Sequence, residues 1–450
     1  MALTGLDIYK LLPKTNCKQC GQPTCLAFAM KLSQKQAELA ACPFVSDQAK
    51  QALEAASRPP IRLVTVGSED GRKIEVGNET AMFRHEKTFF HEPGFVIRIK
   101  DTSSPEEIAK TAAAVAGYAV ERVGMGLRVS GVAIDNASKD SATFLKAIGL
   151  VKSAGELSLV IMSTDSAIME AALAKVGSSK PLIYAATRDN AAQMAALALK
   201  FKCPVAVSAE GIEAVTTLAE EVNKAGVEDI VLDPGTRGFA DSLVTITQLR
   251  RLALKKNFRP AGYPIITFPG EKASSPEEET LLAGQHVAKY AGIIVLESFD
   301  PARIYPLLTL RQNIYTDPQK PIQMQPGLYP IGEPGPSSPL YVTTNFSLTY
   351  FSVAGEVEGS GLPSWLLVAD SEGLSVLTAW AAGKFDAEKI AKSTKASGIA
   401  DKITHRKIII PGHVATLRGE LEDELSGWQI MVGPREAVDI PSFIKRTWKD

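Results

Sequence analysis

The sequence predicts an α/β protein of three domains: a small N-terminal segment, a central (β/α)8 TIM barrel and a small C-terminal doubly wound, Rossmann-like domain. Three observations support this fold class. Short β-branched runs alternate with alanine-rich helical patterns eight times between residues 93 and 312. The alternation resumes over residues 340–450, after a stretch that contains seven prolines. Four of the five cysteines lie within the first 42 residues, apart from both blocks.

The composition is that of an ordinary folded protein. Of the 450 residues, 45% are hydrophobic and 22% charged, which excludes a disordered or collagen-like chain. The net charge of −1 gives no reason to expect nucleic acid or a membrane surface as a partner. Neither a secretory signal nor an apolar run of transmembrane length is visible, so we expect a cytoplasmic protein with reduced thiols.

The central block, residues 93–312, predicts the barrel because it contains eight strand patterns, the number that a (β/α)8 barrel requires. A doubly wound sheet of the same length is the alternative. Helical patterns follow the strands, and prolines such as Pro105 and Pro276 stand at helix starts. The predicted strands are Phe95–Ile99, Leu127–Ile134, Leu157–Met162, Pro181–Ala185, Pro204–Ser208, Asp229–Asp233, Pro264–Phe268 and Gly292–Glu297.

The chain before the barrel divides at Arg58-Pro59-Pro60, which ends a predicted helix at Asp47–Ser57. Residues 1–58 therefore form the first domain. Residues 59–92 are predicted to contain a hairpin, with strands Arg62–Val66 and Lys73–Val76, followed by an irregular connector.

The C-terminal block begins after a proline-rich linker, residues 313–339, which we interpret as a stiff spacer. Residues 340–450 then predict a small open sheet. A ligand of such a sheet lies beyond the carboxyl ends of its strands. The predicted strands are Leu340–Thr344, Trp365–Ala369, Lys407–Ile410 and Trp428–Val432, and the predicted helices are Leu374–Gly383, Asp386–Ser397, Ala415–Leu425 and Arg435–Trp448.

The cysteines follow the pattern Cys17-x2-Cys20-x4-Cys25-x16-Cys42-Pro43. Four thiolates suit either tetrahedral zinc or an iron–sulfur cluster. Structural zinc sites usually contain two short C-x2-C pairs, and here there is only one. The spacing, and the proline directly after the last cysteine, favour a [4Fe–4S] cluster. Cys203 stands alone and is predicted to be an ordinary buried thiol.

The segments Cys17-Lys18-Gln19-Cys20-Gly21-Gln22-Pro23-Thr24-Cys25 and Cys42-Pro43-Phe44 closely resemble the cluster domain of the corrinoid iron–sulfur protein family, large (gamma) subunit. The resemblance covers the whole chain. It implies a [4Fe–4S] cluster on Cys17, Cys20, Cys25 and Cys42 and a cobamide held by the C-terminal domain. It also implies three partners: a small subunit in a heterodimer, a methyltetrahydrofolate methyltransferase and acetyl-CoA synthase.

The function that this resemblance implies is that of a methyl carrier in the Wood–Ljungdahl pathway of carbon fixation. Co(I) of the cobamide accepts the methyl group, and the cluster returns inactive Co(II) to Co(I). The chain then needs no catalytic side chain of its own. The cobamide is expected base-off and without a protein ligand, because the Asp-x-His-x-x-Gly motif of other cobalamin domains is missing around His413.

The expected cobamide contacts lie mainly in the four strand-end loops of the C-terminal domain. They are Leu340, Thr343, Thr344, Phe346, Asp370, Ser371, Glu372, Gly373, Gly412, Gly433 and Glu436.

Polar residues also follow the barrel strands, among them Asp135, Asp165, Asp233 and Glu297. We interpret them as helix caps or partner contacts. Two alternatives stay open: a barrel methyltransferase that acts on a pterin with a structural cluster, and a non-catalytic iron–sulfur electron-transfer subunit.

Overall fold

The computed structural model describes residues 5–33, 37, 39–46, 59–69, 71–316 and 322–448. The chain divides into two compact units. The first contains residues 1–119 and 128–315, and the second contains residues 120–127 and 316–450. Within the described ranges, no helix is both long and apolar enough to cross a membrane.

The N-terminal segment of the first unit contains two short helices, Gly5–Leu11 and Cys25–Ser33. They pack against each other around a small core that includes Ile8, Leu12 and Phe28. Neither helix was predicted from the sequence. The predicted helix Asp47–Ser57 lies outside the described residues.

The strands of the first unit form a hairpin and a parallel sheet of eight. In the chain between β3 and β6, a second hairpin of β4 and β5 follows, most of which (residues 120–127) belongs to the second unit. In chain order the strands are β1 (Val64–Val66), β2 (Ile74–Val76), β3 (Gly94–Lys100), β4 (Ala119–Arg122), β5 (Met125–Arg128), β6 (Gly131–Asp135), β7 (Ser158–Met162), β8 (Leu182–Ala186), β9 (Val205–Ser208), β10 (Ile230–Asp233), β11 (Ile266–Thr267) and β12 (Ile293–Leu296).

The large sheet is a nearly closed barrel, and each of its eight strands overlaps one of the eight predicted strands. Its order is β10-β9-β8-β7-β6-β3-β12-β11, with every pair parallel. A parallel bridge between Leu232 and Ile265 joins β10 to the residue before β11. The helices between the strands are Pro105–Gly117, Ser141–Ser153, Ser166–Val176, Ala191–Phe201, Ile212–Lys224, Phe239–Lys255 and Pro276–Ala288, and Pro301–Tyr315 follows β12.

One predicted strand, Leu127–Ile134, is wrong as a single element. Its first residues belong to β5, and the barrel strand β6 begins only at Gly131. Residues 120–127 of the β4–β5 hairpin belong to the second unit, where Val123 is buried beside Met324 and Tyr341. The segment Leu127–Ile134, predicted as one strand, therefore contributes residues to two different strands, β5 and β6.

The β1–β2 hairpin, which was predicted to precede the barrel, packs into the barrel core. Val64, Val66, Ile74 and Val76 are all buried in one cluster with inward-facing residues of the barrel strands. The Gly67 amide donates to the carbonyl of Lys180, which precedes β8. The hairpin thus closes the barrel at the amino ends of its strands, and each buried side chain stabilises the fold by about 1.5–3 kcal/mol.

The second unit contains a five-stranded sheet of order β13-β15-β14-β16-β17. Only β13, at the edge, is antiparallel. The strands are β13 (Gly327–Ile331), β14 (Leu340–Thr344), β15 (Ser364–Ala369), β16 (Lys407–Ile410) and β17 (Gln429–Val432). The helices are Ser347–Gly359, Val376–Ala381, Ala387–Ala396, Arg418–Glu424 and Ile440–Thr447.

Both faces of this sheet are covered, because successive side chains of each strand enter two separate cores. Leu340 and Val342 pack with helices Val376–Ala381 and Ala387–Ala396, whereas Tyr341 packs with helix Ile440–Thr447.

The predicted linker 313–339 differs from the structure. Helix Pro301–Tyr315 extends into it, and β13 lies inside it with Pro330 in an edge strand, where a missing amide is tolerated. Helix Ser347–Gly359 was not predicted, since its glycines and β-branched residues weaken the helical pattern.

Candidate functional site

The cysteine segment is a loop between two helices with an unusual backbone. Lys14, Asn16 and Lys18 all have positive φ although none is glycine, and Gly21 follows with φ of 73°. The Gly21 amide closes a turn by donating to the carbonyl of Lys18 at 2.9 Å. The loop therefore makes a tight turn at Lys18–Gly21, within the span that carries Cys17 and Cys20.

Asn16 ties this loop to the helix that begins at Cys25. Its side-chain Oδ1 accepts from the Cys25 amide at 2.8 Å, and its own amide donates to the Cys25 Sγ at 3.4 Å. An amide that donates to sulfur stabilises the negative charge of a thiolate. Asn16 directly precedes Cys17, the first predicted ligand, but nothing in its spacing distinguished it.

The structure gathers three of the four predicted ligands around one small core. Cys25 and Cys42 are buried, and Cys20 packs against the same cluster, while Cys17 is half-buried in the loop. All four are free thiols. Among the described residues, no group of three or more His, Cys, Asp or Glu side chains is arranged to hold a metal ion. The four-cysteine ligand set therefore stays a prediction.

The chemistry of this donor set nevertheless fits an iron–sulfur cluster. The backbone amide of Gln19 and the side chain of Thr15 hydrogen-bond to the Cys17 sulfur and lower the pKa of its thiol. A thiolate is the form that binds metals, and a lowered pKa increases the thiolate fraction at any given pH. Cys203 is the opposite case, because burial raises the pKa of its thiol to about 11.

In the second unit, the strand order creates a crevice between β14 and β16. From β14 the chain crosses to β15 on one side, and later returns to β16 on the other. Ligands of open α/β sheets bind at such a switch point, outside the carboxyl ends of the strands.

A cavity of about 350 Å³ lies at this point. Its walls are mainly apolar, and its rim carries His413, Arg435 and Glu436. Helix Ser347–Gly359, which the sequence did not predict, supplies one wall. The other lining residues are Tyr341, Val342, Thr343, Leu348, Thr349, Ser352, Val353, Ser375, Val376, Leu377, Ile409, Ile410, Pro411, Gly433, Pro434, Ala437 and Ile440.

Two hydroxyl groups in the cavity lining have no hydrogen-bond partner among the described residues. They are Tyr341 Oη and Thr343 Oγ1, and both side chains are almost fully buried. A buried hydroxyl without a partner is unfavourable by about 1–3 kcal/mol. Thr344 Oγ1 is also unpaired, but Thr344 points to the opposite face of β14.

Asn345, directly after β14, connects the loops at this end of the sheet. Its buried Oδ1 accepts from the amide and hydroxyl of Ser371, at 3.0 and 2.7 Å, and from the Gly373 amide at 2.9 Å. Its Nδ2 donates to Asp370 and Gln323, both at 3.3 Å. The sequence placed Asn345 at a strand end but gave no sign that it is the central residue.

The loops after β16 and β17 touch each other through glycines. A Cβ on Gly412 would lie 2.6 Å from the carbonyl oxygen of Gly433, so only glycine fits there. Beside it, His413 Nε2 lies 3.7 Å from a carboxylate oxygen of Glu436.

The predicted cobamide contacts therefore differ in position. Those that line the cavity are Thr343, Gly433 and Glu436. Those in the neighbouring strand-end loops are Phe346, Asp370, Ser371, Glu372, Gly373 and Gly412. Two do not line the cavity: Thr344 ends β14 and points to its opposite face, and Leu340 begins β14 and is fully buried in the core. As cobamide contacts, all of these residues stay predictions.

The polar residues at the barrel mouth pair with one another. Arg98 donates to Asp135 at 2.7 Å, to Glu297 at 2.9 Å and to Glu271 at 3.2 Å. These ion pairs agree with a structural function of the polar residues at the carboxyl ends of the barrel strands.

Asp233, at the end of β10, is fully buried and accepts from Tyr184, Ser208 and both terminal nitrogens of Arg237. Burial alone would raise its pKa, but Arg237 outweighs burial and holds the pKa of this carboxyl below its usual value. Asp233 is therefore ionised, and its carboxylate holds Tyr184, Ser208 and Arg237 together at this end of the barrel.

A segment with four cysteines, a parallel barrel and an open sheet with a cavity at its switch point define a class: a modular α/β protein with a cysteine-rich segment and a separate cavity of ligand size. Comparison with known families agrees. A family described as "CO dehydrogenase/acetyl-CoA synthase delta subunit" matches residues 63–444, and one described as "Putative Fe-S cluster" matches residues 12–44. The chain belongs to the CO dehydrogenase/acetyl-CoA synthase delta subunit family.

Full-length relatives carry the names of large or gamma subunits. The corrinoid/iron-sulfur protein large subunit of Moorella thermoacetica is 47% identical over 99% of both chains. The acetyl-CoA decarbonylase/synthase complex subunit gamma of Methanopyrus kandleri is 36% identical, over 99% of this chain and 98% of its own. The resemblance predicted from the cysteine motif is thereby confirmed.

Proposed function

We propose that this chain is a corrinoid methyl carrier of the acetyl-CoA synthase pathway. It would receive a methyl group from a methyltetrahydrofolate methyltransferase and deliver it to acetyl-CoA synthase. The observation that carries this proposal is the coexistence in one chain of a four-thiol segment and a cavity at a sheet switch point. The relatives' names, which join a corrinoid, an iron–sulfur protein and acetyl-CoA synthase, support it.

In this proposal Cys17, Cys20, Cys25 and Cys42 hold a [4Fe–4S] cluster, which supplies single electrons at low potential. The surrounding residues favour the charged thiolates. Thr15 and the Gln19 amide stabilise the thiolate of Cys17, and the Asn16 amide donates to the sulfur of Cys25.

The C-terminal cavity would hold the nucleotide tail of a cobamide, whose cobalt supplies the centre that accepts and releases the methyl group. A volume of about 350 Å³ is near the lower limit for small-molecule sites and accepts one bicyclic ring system, not a macrocycle. The apolar walls suit a neutral ring. Exposed Arg435 at the rim suits the phosphate of the tail.

His413 is proposed to remain uncoordinated, in keeping with a base-off cobamide. It lies at the rim of the cavity, with its Nε2 near the carboxylate of Glu436. The pairing orients this imidazole toward a carboxylate. A small subunit is proposed as the partner in a heterodimer, which the gamma-subunit names of the relatives favour.

Metal analysis and a visible spectrum of the anaerobically purified full chain test the proposal. We expect about four iron atoms and about one cobalt per chain after incubation with a cobamide. Iron without cobamide binding would contradict the carrier function and favour an electron-transfer subunit. Turnover of methyltetrahydrofolate by this chain alone would favour a barrel methyltransferase instead.

A further inference from the structure

The cavity at the switch point contains two unpaired hydroxyl groups on one strand. Tyr341 and Thr343 are separated by one residue on β14, so their side chains point to the same face of the sheet. Both line the cavity, and neither hydroxyl has a partner among the residues that the structure describes. A folded protein rarely leaves such groups unpaired without a functional reason.

The position of the charges indicates what these hydroxyls could meet. Arg435 and Glu436 are exposed at the rim, whereas Tyr341 and Thr343 lie among the apolar walls. The group that enters is therefore neutral and mainly apolar, with an atom that can accept a hydrogen bond. Burial raises the pKa of Tyr341, so its phenol stays protonated and remains a donor.

We infer that Tyr341 and Thr343 select the lower base of the bound cobamide, by favouring bases that carry a free ring nitrogen. This inference rests on the proposed function. A benzimidazole or purine ring presents a nitrogen that accepts from one of the hydroxyls. A phenolic base has no ring nitrogen, and it would bury the same hydroxyls without a partner, which lowers affinity.

The test titrates cobamides into the cobamide-free full chain and follows visible absorbance. The three probes differ only in their lower base: 5,6-dimethylbenzimidazole, adenine or p-cresol. The readout is the ratio of the Kd for the p-cresol cobamide to the Kd for each nitrogen-base cobamide. Properties of the free cobamides cancel when this ratio is compared between protein variants.

We expect the wild-type chain to prefer the nitrogen bases, and Thr343→Val to lower the ratio about tenfold. Tyr341→Phe, which keeps the ring and removes the hydroxyl, is expected to lower the ratio as well. Thr343→Ser retains a hydroxyl and should keep the preference. Thr344→Val is the matched control, since it removes an unpaired hydroxyl from the opposite face of β14 and should leave the ratio unchanged.

Two results would overturn the inference while the proposed function stands: cobamides bind, but Thr343→Val and Tyr341→Phe keep the wild-type ratio, or Thr344→Val lowers it equally. If the wild-type chain binds none of the three cobamides, the proposed function itself fails.

Discussion

At the scale of single residues, the carboxyl end of the C-terminal sheet depends on Asn345. The Asn345→Ala substitution would leave the backbone amides of Ser371 and Gly373 without their acceptor, whereas the Ser371 hydroxyl could still donate to the Leu374 carbonyl at 3.0 Å. We expect a loss of about 3 kcal/mol in the free energy of unfolding of this domain. Thermal melts and hydrogen exchange of the 370–374 loop would measure it.

Asn345→Asp is the matched control for that prediction. It keeps the oxygen that accepts from Ser371 and Gly373, but it replaces the donor to Asp370 by a second carboxylate. The loss of stability should therefore be smaller than for alanine, and it should shrink further at low pH. Equal melting temperatures for the wild type and Asn345→Ala would show that the loops are held by other contacts.

At the scale of elements, the helices Phe239–Lys255 and Pro276–Ala288 meet at a buried histidine. His286 is 1% exposed, and its Nε2 lies 3.3 Å from Ser242 Oγ. Burial, together with the charge of Arg237, lowers the pKa of His286 to about 4, although Asp241 acts against this shift. In the unfolded chain the histidine titrates near pH 6.5.

Below pH 6.5, protons therefore bind the unfolded chain more readily than the folded one, and the barrel loses stability until about pH 4. Between pH 7 and pH 5 the expected loss from this group is about 2 kcal/mol. His286→Gln should remove that part of the pH dependence in urea unfolding, whereas His85→Gln, on the surface, should not. An unchanged slope for His286→Gln would contradict the prediction.

The helices and strands differ in how well a sequence pattern predicts them. The barrel strands were predicted because each is an apolar run between helices, and burial on both faces requires such a run. Helix Ser347–Gly359 was missed because its stability comes from packing against β14, not from a strong helical pattern. β13 was hidden by its prolines, which an edge strand tolerates.

The sequence predicted those parts of the candidate sites whose residues lie close together in the chain. The cysteine spacing lies within one short segment, so the sequence alone indicated the family. The cavity, in contrast, combines residues from β14, helix Ser347–Gly359 and the loops after β16 and β17. Their proximity depends on the strand order, which no local pattern specifies. This is why Thr343 was predicted as a contact, while the central position of Asn345 was not.

At the scale of the whole molecule, the two candidate sites belong to different compact units. The cysteines lie in the first unit and the cavity in the second. Each unit has its own hydrophobic cores. We therefore expect a substitution in one site to leave binding at the other unchanged, because the two sites lie in cores that have no residue in common.

The Cys42→Ala variant tests this independence. Cys42 is buried in the N-terminal core, and its loss should reduce bound iron to less than about half of the wild-type content, since the remaining three thiols cannot complete a four-cysteine set. The Kd for a cobamide should stay within about twofold. Cys203→Ala, at a buried thiol of the barrel, is the matched control and should retain both cofactors. If Cys42→Ala weakened cobamide binding as strongly as iron binding, the two sites would be coupled. That result would contradict the prediction that the two units bind their cofactors independently.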